Sequence, residues 1–431
     1  MVHNISLITT ISVAFGLALI LGFLAARLRL PALLGYMIAG VLIGPATPGF
    51  VADMALSQQL AEIGVILLMF GVGLHFSLSD LMAVRRIAIV GALAQILVAT
   101  SLGVAIARSW GWPFGESLVF GLALSVASTV VLLRGLEARG LLDSLNGRIA
   151  VGWLVVEDLV MVFTLVVLPA LAGWLGGQGG TVGADSLLLT LTLTLGKVAL
   201  FIGLMLVGGR RLFPWLLWQV ARTGSRELFT LGVVAMAMGI AYASSVIFGV
   251  SFALGAFFAG MVLRESALSH RAAEESLPLR DAFAVLFFVS VGMLFDPAML
   301  IAEPVRVLTV VAIIVLGKTF AAFLLVLLFR YPLNTALTVS VSLAQIGEFS
   351  FILAALGVSL GLLSAEGQNL ILAGALISIA LNPLLFRAVE PVQRWVRKHS
   401  RLAQAMERAA DPLAELPMST DLRSLTGHAL I

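Results

Sequence analysis

The feature that most constrains this chain is the recurrence of apolar runs about twenty residues long, separated by short polar connections, from Ile5 almost to residue 386. Most of the runs are long enough to cross roughly 30 Å of hydrocarbon as a helix. Hydrophobic residues make up 60% of the chain and charged residues only 11%, against roughly 25% charged in soluble domains, so a water-soluble globule is excluded. The 42 glycines and 14 prolines are scattered through the apolar runs without a period, which argues against collagen-like and disordered architectures. Continuous runs also argue against a membrane β-barrel, whose strands read as roughly ten-residue alternating segments. With no cysteine, the chain has no disulfide framework, thiol nucleophile or thiolate metal site.

Breaking the runs at charged and turn residues gives about thirteen spans, near 5–26, 31–46, 58–75, 87–107, 116–133, 149–173, 187–209, 227–244, 249–263, 282–295, 307–329, 335–360 and 366–386. The expectation is an all-α polytopic membrane protein. The first run is too long for a signal-peptide core and lacks a basic leader, so it reads as an uncleaved span. With the N-terminus outside, the loops on the cytoplasmic side hold fifteen arginines and the opposite loops only Arg108 and Arg306. That positive-inside bias explains the net charge of +3 without nucleic acid, and it sets the N-terminus outside and the C-terminus in the cytoplasm. A membrane domain covers 1–390, and the charged stretch 391–424 reads as a helical cytoplasmic linker. The apolar LTGHALI at 425–431 is a frayed end or the first strand of a further domain.

Charges inside the spans are few, so each demands a partner, a water-filled cavity or a function. In GWLVVEDLVMV, Glu157 and Asp158 lie side by side near the middle of the sixth span. Lys318, in VIVLGKTFAAFLL of the eleventh span, is their natural partner. Lys197 competes for that place, and its sequence context reads as structural. Two spans carry small polar residues where a helix can unwind: Ser125, Ser128 and Thr129 in the fifth, and Gln345, Gly347, Glu348 and Ser350 in the twelfth. Interrupted helices at corresponding places in two halves point to a transporter site at the midplane of inverted repeats, and taken singly the Ser and Thr residues also fit back-bonding to the preceding turn. Glu62 and His75 read as interfacial, and the glycines of SFALGAFFAG as close helix packing or helix flexibility. No zinc spacing, phosphate loop or nucleophilic triad occurs, so enzyme chemistry has little support.

Together VVEDLVMV, SVASTVV, GKTFAAF, LAQIGEFSF and FFVSVGMLFDP resemble the cation:proton antiporter-2 family, Kef-type branch, over roughly residues 5 to 390. The resemblance implies a sodium/proton antiporter-like fold, with two crossed discontinuous helices in a core that moves against a dimerisation domain. It implies that Asp158 carries the ion or proton, that Glu157 stands at the preceding acid position, and that Lys318 bridges that acid. Ser128 and Thr129 match the first broken helix, and Gln345, Gly347 and Glu348 the second. The expected activity is exchange of a monovalent cation, potassium or sodium, for protons by alternating access, in a homodimer in a bacterial inner membrane. A ligand-gated potassium channel and a non-transporting scaffold are the rival readings. No cofactor is expected in this chain; in the family a nucleotide belongs to a further cytoplasmic domain, and no residue here is assigned to one.

Overall fold

The computed structural model describes residues 6–48, 50–75, 78–142, 144–177, 184–249 and 251–399, and among them the secondary structure is entirely helical. The helices are α1 (Ser6–Arg27), α2 (Ala32–Ile43), α3 (Met54–His75), α4 (Leu78–Ser109), α5 (Phe114–Ser125), α6 (Thr129–Glu137), α7 (Leu145–Leu171), α8 (Ala184–Leu204) and α9 (Arg210–Ala221). They continue with α10 (Arg226–Phe248), α11 (Phe252–Arg264), α12 (Ser269–Met293), α13 (Met299–Ala302), α14 (Pro304–Ala312), α15 (Lys318–Leu328), α16 (Leu333–Ser342), α17 (Glu348–Ser359) and α18 (Ala365–His399).

Each expected span falls on helix. Among the described residues, 10 apolar helical stretches are long enough to cross a membrane, and α2, α11 and α17 are shorter apolar helices. Local chemistry sets the boundaries. Pro31, Pro113 and Pro332, held extended, precede α2, α5 and α16. Ser128, Ser225 and Ser251 cap α6, α10 and α11 by accepting the backbone N–H of Val131, Leu228 and Leu254.

Two boundaries differ most from the sequence reading. α12 begins at Ser269, well before the expected 282, because SHRAAEESLPLRD continues the helix without being apolar. The last span runs on through 391–399 as one helix of 35 residues, so the start of the expected linker belongs to α18. Residues 400–424 and the LTGHALI segment lie outside the described residues. Five-residue π-helical turns interrupt two spans, at Met205–Gly209 and at Ile313–Gly317 directly before Lys318.

The chain divides into two compact units. The first takes the described residues of Met1–Ser77, Val160–Pro304 and Ala355–Ala373. There α3 packs on α11 and α12, and α1 and α2 join α12 around Ala14, Ala18, Ala39, Ile43, Leu286, Val289 and Met293. A side chain at Gly260 would strike the Phe70 carbonyl and one at Gly73 the Phe257 carbonyl, so α3 and α11 meet backbone to backbone, which favours close packing of the two readings of SFALGAFFAG. The second unit takes Leu78–Leu159, Val305–Ala354 and the described part of Gly374–Ile431. Its core is α4 against α5, with α15 packed on α4 and α16. The Arg139 guanidinium, just past α6, lies 4.1 Å over the Phe386 ring of α18.

Candidate functional site

All the acids and amides singled out in the two interrupted spans, together with Lys318, lie in the second unit. α5 ends at Ser125, the chain runs extended through Val126 and Ser128, and α6 starts at Thr129. α16 ends at Ser342 and α17 starts at Glu348. Interrupting two helices inside a buried core frees backbone N–H and C=O groups that must find partners there. The two breaks supply each other. Ser128 N–H donates to Gln345 Oε1 at 2.8 Å, and Gln345 Nε2 returns hydrogen bonds to the carbonyls of Ser128 at 3.2 Å and Ser342 at 3.3 Å. Glu348 accepts from Ser128 Oγ at 2.9 Å and from Thr129 N–H at 3.2 Å, so one carboxylate serves the N-terminal ends of both α6 and α17. Gly347 is required at this crossing, because any side chain there would overlap Ser128.

Asp158 sits thirteen residues from either end of α7, with Glu157 beside it. Glu157 is wholly buried and accepts at both oxygens: Gln95 Nε2 reaches Oε1 at 2.6 Å, and Ala127 N–H, freed by the first break, reaches Oε2 at 2.8 Å. Asp158 accepts from Thr129 Oγ1 at 3.2 Å through Oδ2, while its Oδ1 is buried without a partner. Of the six carboxylate oxygens on Glu157, Asp158 and Glu348, five accept a hydrogen bond and Asp158 Oδ1 does not.

Lys318 follows the π-helical turn and is wholly buried. Contrary to the bridge expected from sequence, it makes no direct ion pair with Glu157 or Asp158. Its ammonium donates to the Gln345 carbonyl at 3.1 Å. The physical reason is local: both Glu157 oxygens already have donors, and the α16–α17 break leaves a carbonyl exposed within reach of the lysine. Glu157 nevertheless remains the acid whose charge Lys318 feels.

The other candidates take different places. Ser125 Oγ bonds back to Leu122 O at 2.7 Å, so its local reading holds. Ser350 Oγ is buried without a partner. Lys197 belongs to the other unit and is exposed on α8, and Glu62 is exposed on α3; the His75 side chain lies outside the described residues. Sequence reasoning missed Gln95, whose signal was available: an amide alone in the middle of GALAQILVAT. Among the described residues there is no cluster of three or more His, Asp or Glu arranged to hold a metal ion.

Comparison with known proteins matches residues 15–389 to the family model described as sodium/hydrogen exchanger, transmembrane. YbaL of Escherichia coli (strain K12), provisionally named a cation/proton antiporter, is 58% identical over 430 residues, covering 100% of this chain and 75% of YbaL. K(+) efflux antiporter 4 of Arabidopsis thaliana is 34% identical over 84% of this chain and 60% of its own length. In fold, the chain is similar to the sodium proton antiporter MjNhaP1 from Methanocaldococcus jannaschii at pH 8, with a TM-score of 0.63 at 17% identity, covering 89% of this chain and 97% of that one.

Proposed function

Since this chain belongs to the sodium/hydrogen exchanger family, we propose that it exchanges a monovalent cation for protons, with Asp158 as the carboxylate for which the two compete. One observation carries the reading: Asp158 Oδ1 is the single carboxylate oxygen of the buried cluster left without a donor. A bare charge there is costly, so a proton or a cation must satisfy it, and one oxygen cannot hold both fully. Thr129 Oγ1 and the carbonyls freed at the breaks are the oxygen ligands on hand for a dehydrated monovalent ion. Potassium is the proposed cargo, in keeping with the names of the plant relatives, and sodium is the competitor to be measured beside it.

The arginine bias supports insertion in a bacterial inner membrane with the N-terminus outside and the C-terminus in the cytoplasm. The working unit is a homodimer, as the family resemblance implies. Residues 1–390 act as the transport domain, and the end of α18 leads into a cytoplasmic linker. Chemistry that makes or breaks covalent bonds has no part in this reading.

The test is a potassium or sodium gradient imposed on proteoliposomes with internal pH recorded. Wild-type protein acidifies or alkalinises the lumen in proportion to the gradient, and Asp158→Asn does not. Persistent cation-driven proton movement in Asp158→Asn overturns the assignment of this residue. Passive cation current without proton movement in wild type overturns antiport in favour of a channel.

A further inference from the structure

Gln95 is fully buried in the middle of α4, and its amide nitrogen makes the shortest hydrogen bond of the site, 2.6 Å to Glu157 Oε1. Its own Oε1 is buried without a donor. A primary amide offers hydrogens at one end and only lone pairs at the other, so facing a carboxylate it can only donate. The second oxygen of Glu157 is held by Ala127 N–H, a backbone group at the α5–α6 break. Lys318 faces the same acid electrostatically yet spends its ammonium on the Gln345 carbonyl.

We infer that Gln95 is a positioning residue: its amide holds Glu157 against the α5–α6 break and away from Lys318, so that lysine and amide compete for one carboxylate oxygen. Lys318 pairs with Glu157 only when Gln95 releases it. The unpartnered Gln95 carbonyl then gains a role, because an ammonium that arrives at Glu157 finds a second acceptor beside it and has hydrogens to spare after bonding Gln345. The arrangement places control of the acid–lysine contact on α4, a helix outside both interruptions. This inference deepens the antiport reading and rests on it for its transport consequences. The charged and titratable groups that face this exchange are Glu157 and Asp158 on α7, Lys318 on α15 and Glu348 on α17; α5 and α6 contribute only Ala127 N–H, Ser128 and Thr129 at their junction.

The test compares pH profiles of cation-driven proton movement in proteoliposomes for wild type and for Gln95→Met, which keeps the length of the side chain and removes its donor. Loss of one hydrogen bond to a charged group moves the pH of half-maximal exchange by about one unit. In a Glu157→Gln background the same substitution leaves the midpoint where it was, because the acid through which it acts is gone. Gln95→Glu, nearly isosteric, places two carboxyls at hydrogen-bonding distance and shifts the midpoint again. Overlaid profiles for wild type and both variants, or a uniform fall in rate that is equal in the two backgrounds, overturn the inference and leave Gln95 a packing residue. The pH dependence of thermal unfolding in detergent supplies a readout that needs no transport: the curves of wild type and Gln95→Met differ in shape, and parallel curves overturn the inference. Wild-type vesicles that move no protons defeat the antiport reading alone, and the unfolding curves still judge Gln95.

Discussion

Gly347→Ala tests whether the two broken helices depend on touching. A Cβ at this position lies 2.5 Å from Ser128 Cα and 2.7 Å from Ser128 Oγ, and closer still to Ser128 Cβ. Carbon atoms normally settle about 3.5–4.0 Å apart, so the two breaks must separate by about 1 Å. Ser128 cannot yield alone, because it is main chain at the start of α6 and wholly buried. The separation stretches four hydrogen bonds at once: the pair between Ser128 and Gln345, and those from Ser128 Oγ and Thr129 N–H to Glu348. Overpacking a core costs about 1–3 kcal/mol, and weakening two bonds to a carboxylate adds roughly 1–2 kcal/mol. The expected loss is about 3 kcal/mol, a large share of the roughly 5–15 kcal/mol that holds a folded protein together.

The assay is the apparent Tm of purified protein in detergent at one fixed scan rate, since unfolding of such a protein is judged as a rate. Gly239→Ala is the internal control: it lies exposed in α10 with nothing within 4 Å of its added Cβ, and it gains about 0.5–1 kcal/mol of helix propensity. Gly347→Ala therefore unfolds several degrees below wild type while Gly239→Ala unfolds at or above it. A Gly347→Ala protein that matches wild type in Tm, with the control behaving as stated, refutes the crossing of the two breaks.

Two further substitutions separate the roles of the neighbouring groups. Thr129→Val keeps the shape of the side chain and removes the hydroxyl that donates to Asp158 Oδ2; the cation concentration for half-maximal exchange rises about tenfold, the worth of one hydrogen bond to a charge, and an unchanged value removes Thr129 from the ion site. Lys318→Ala deletes the one buried ammonium among three acids and strips the Gln345 carbonyl of its donor; the pH profile of exchange or the charge moved per cycle changes, and a variant unaltered in both respects removes Lys318 from the cycle.

The membrane made part of this site readable in advance. Adjacent acids halfway along an apolar span, and polar clusters interrupting two others, are conspicuous where every charge is expensive, and Glu157, Asp158, Ser128, Thr129, Gln345 and Glu348 do gather in one unit. What escaped was set by neutral groups and by geometry. Gln95 carries no charge to attract notice, although it holds Glu157 more closely than any other group. The partner of Lys318 is a backbone carbonyl, which no residue type advertises and which exists as a free acceptor only because α16 stops at Ser342. The π-helical turn ahead of Lys318 leaves no trace in apolar periodicity beyond Gly317. The early start of α12 and the long end of α18 escaped because helix that leaves the apolar layer loses the pattern by which spans are recognised.

The charges of the cluster divide by what compensates them. Glu348 faces the exposed N–H groups that begin α6 and lies in the first turn of α17, two partial positive ends that persist through any protonation change. Lys318 lies against a carbonyl beyond the end of α16, where partial negative charge collects. Glu157 has two donors supplied by the fold itself, the Gln95 amide and Ala127 N–H. These three groups are therefore matched from within the fold. Asp158 has one hydroxyl and nothing else, so its charge is matched only by something that arrives. On the antiport reading, obligatory exchange then follows from electrostatics: the site relaxes with a proton or with a cation aboard, and an empty Asp158 is the state the buried surroundings make most expensive.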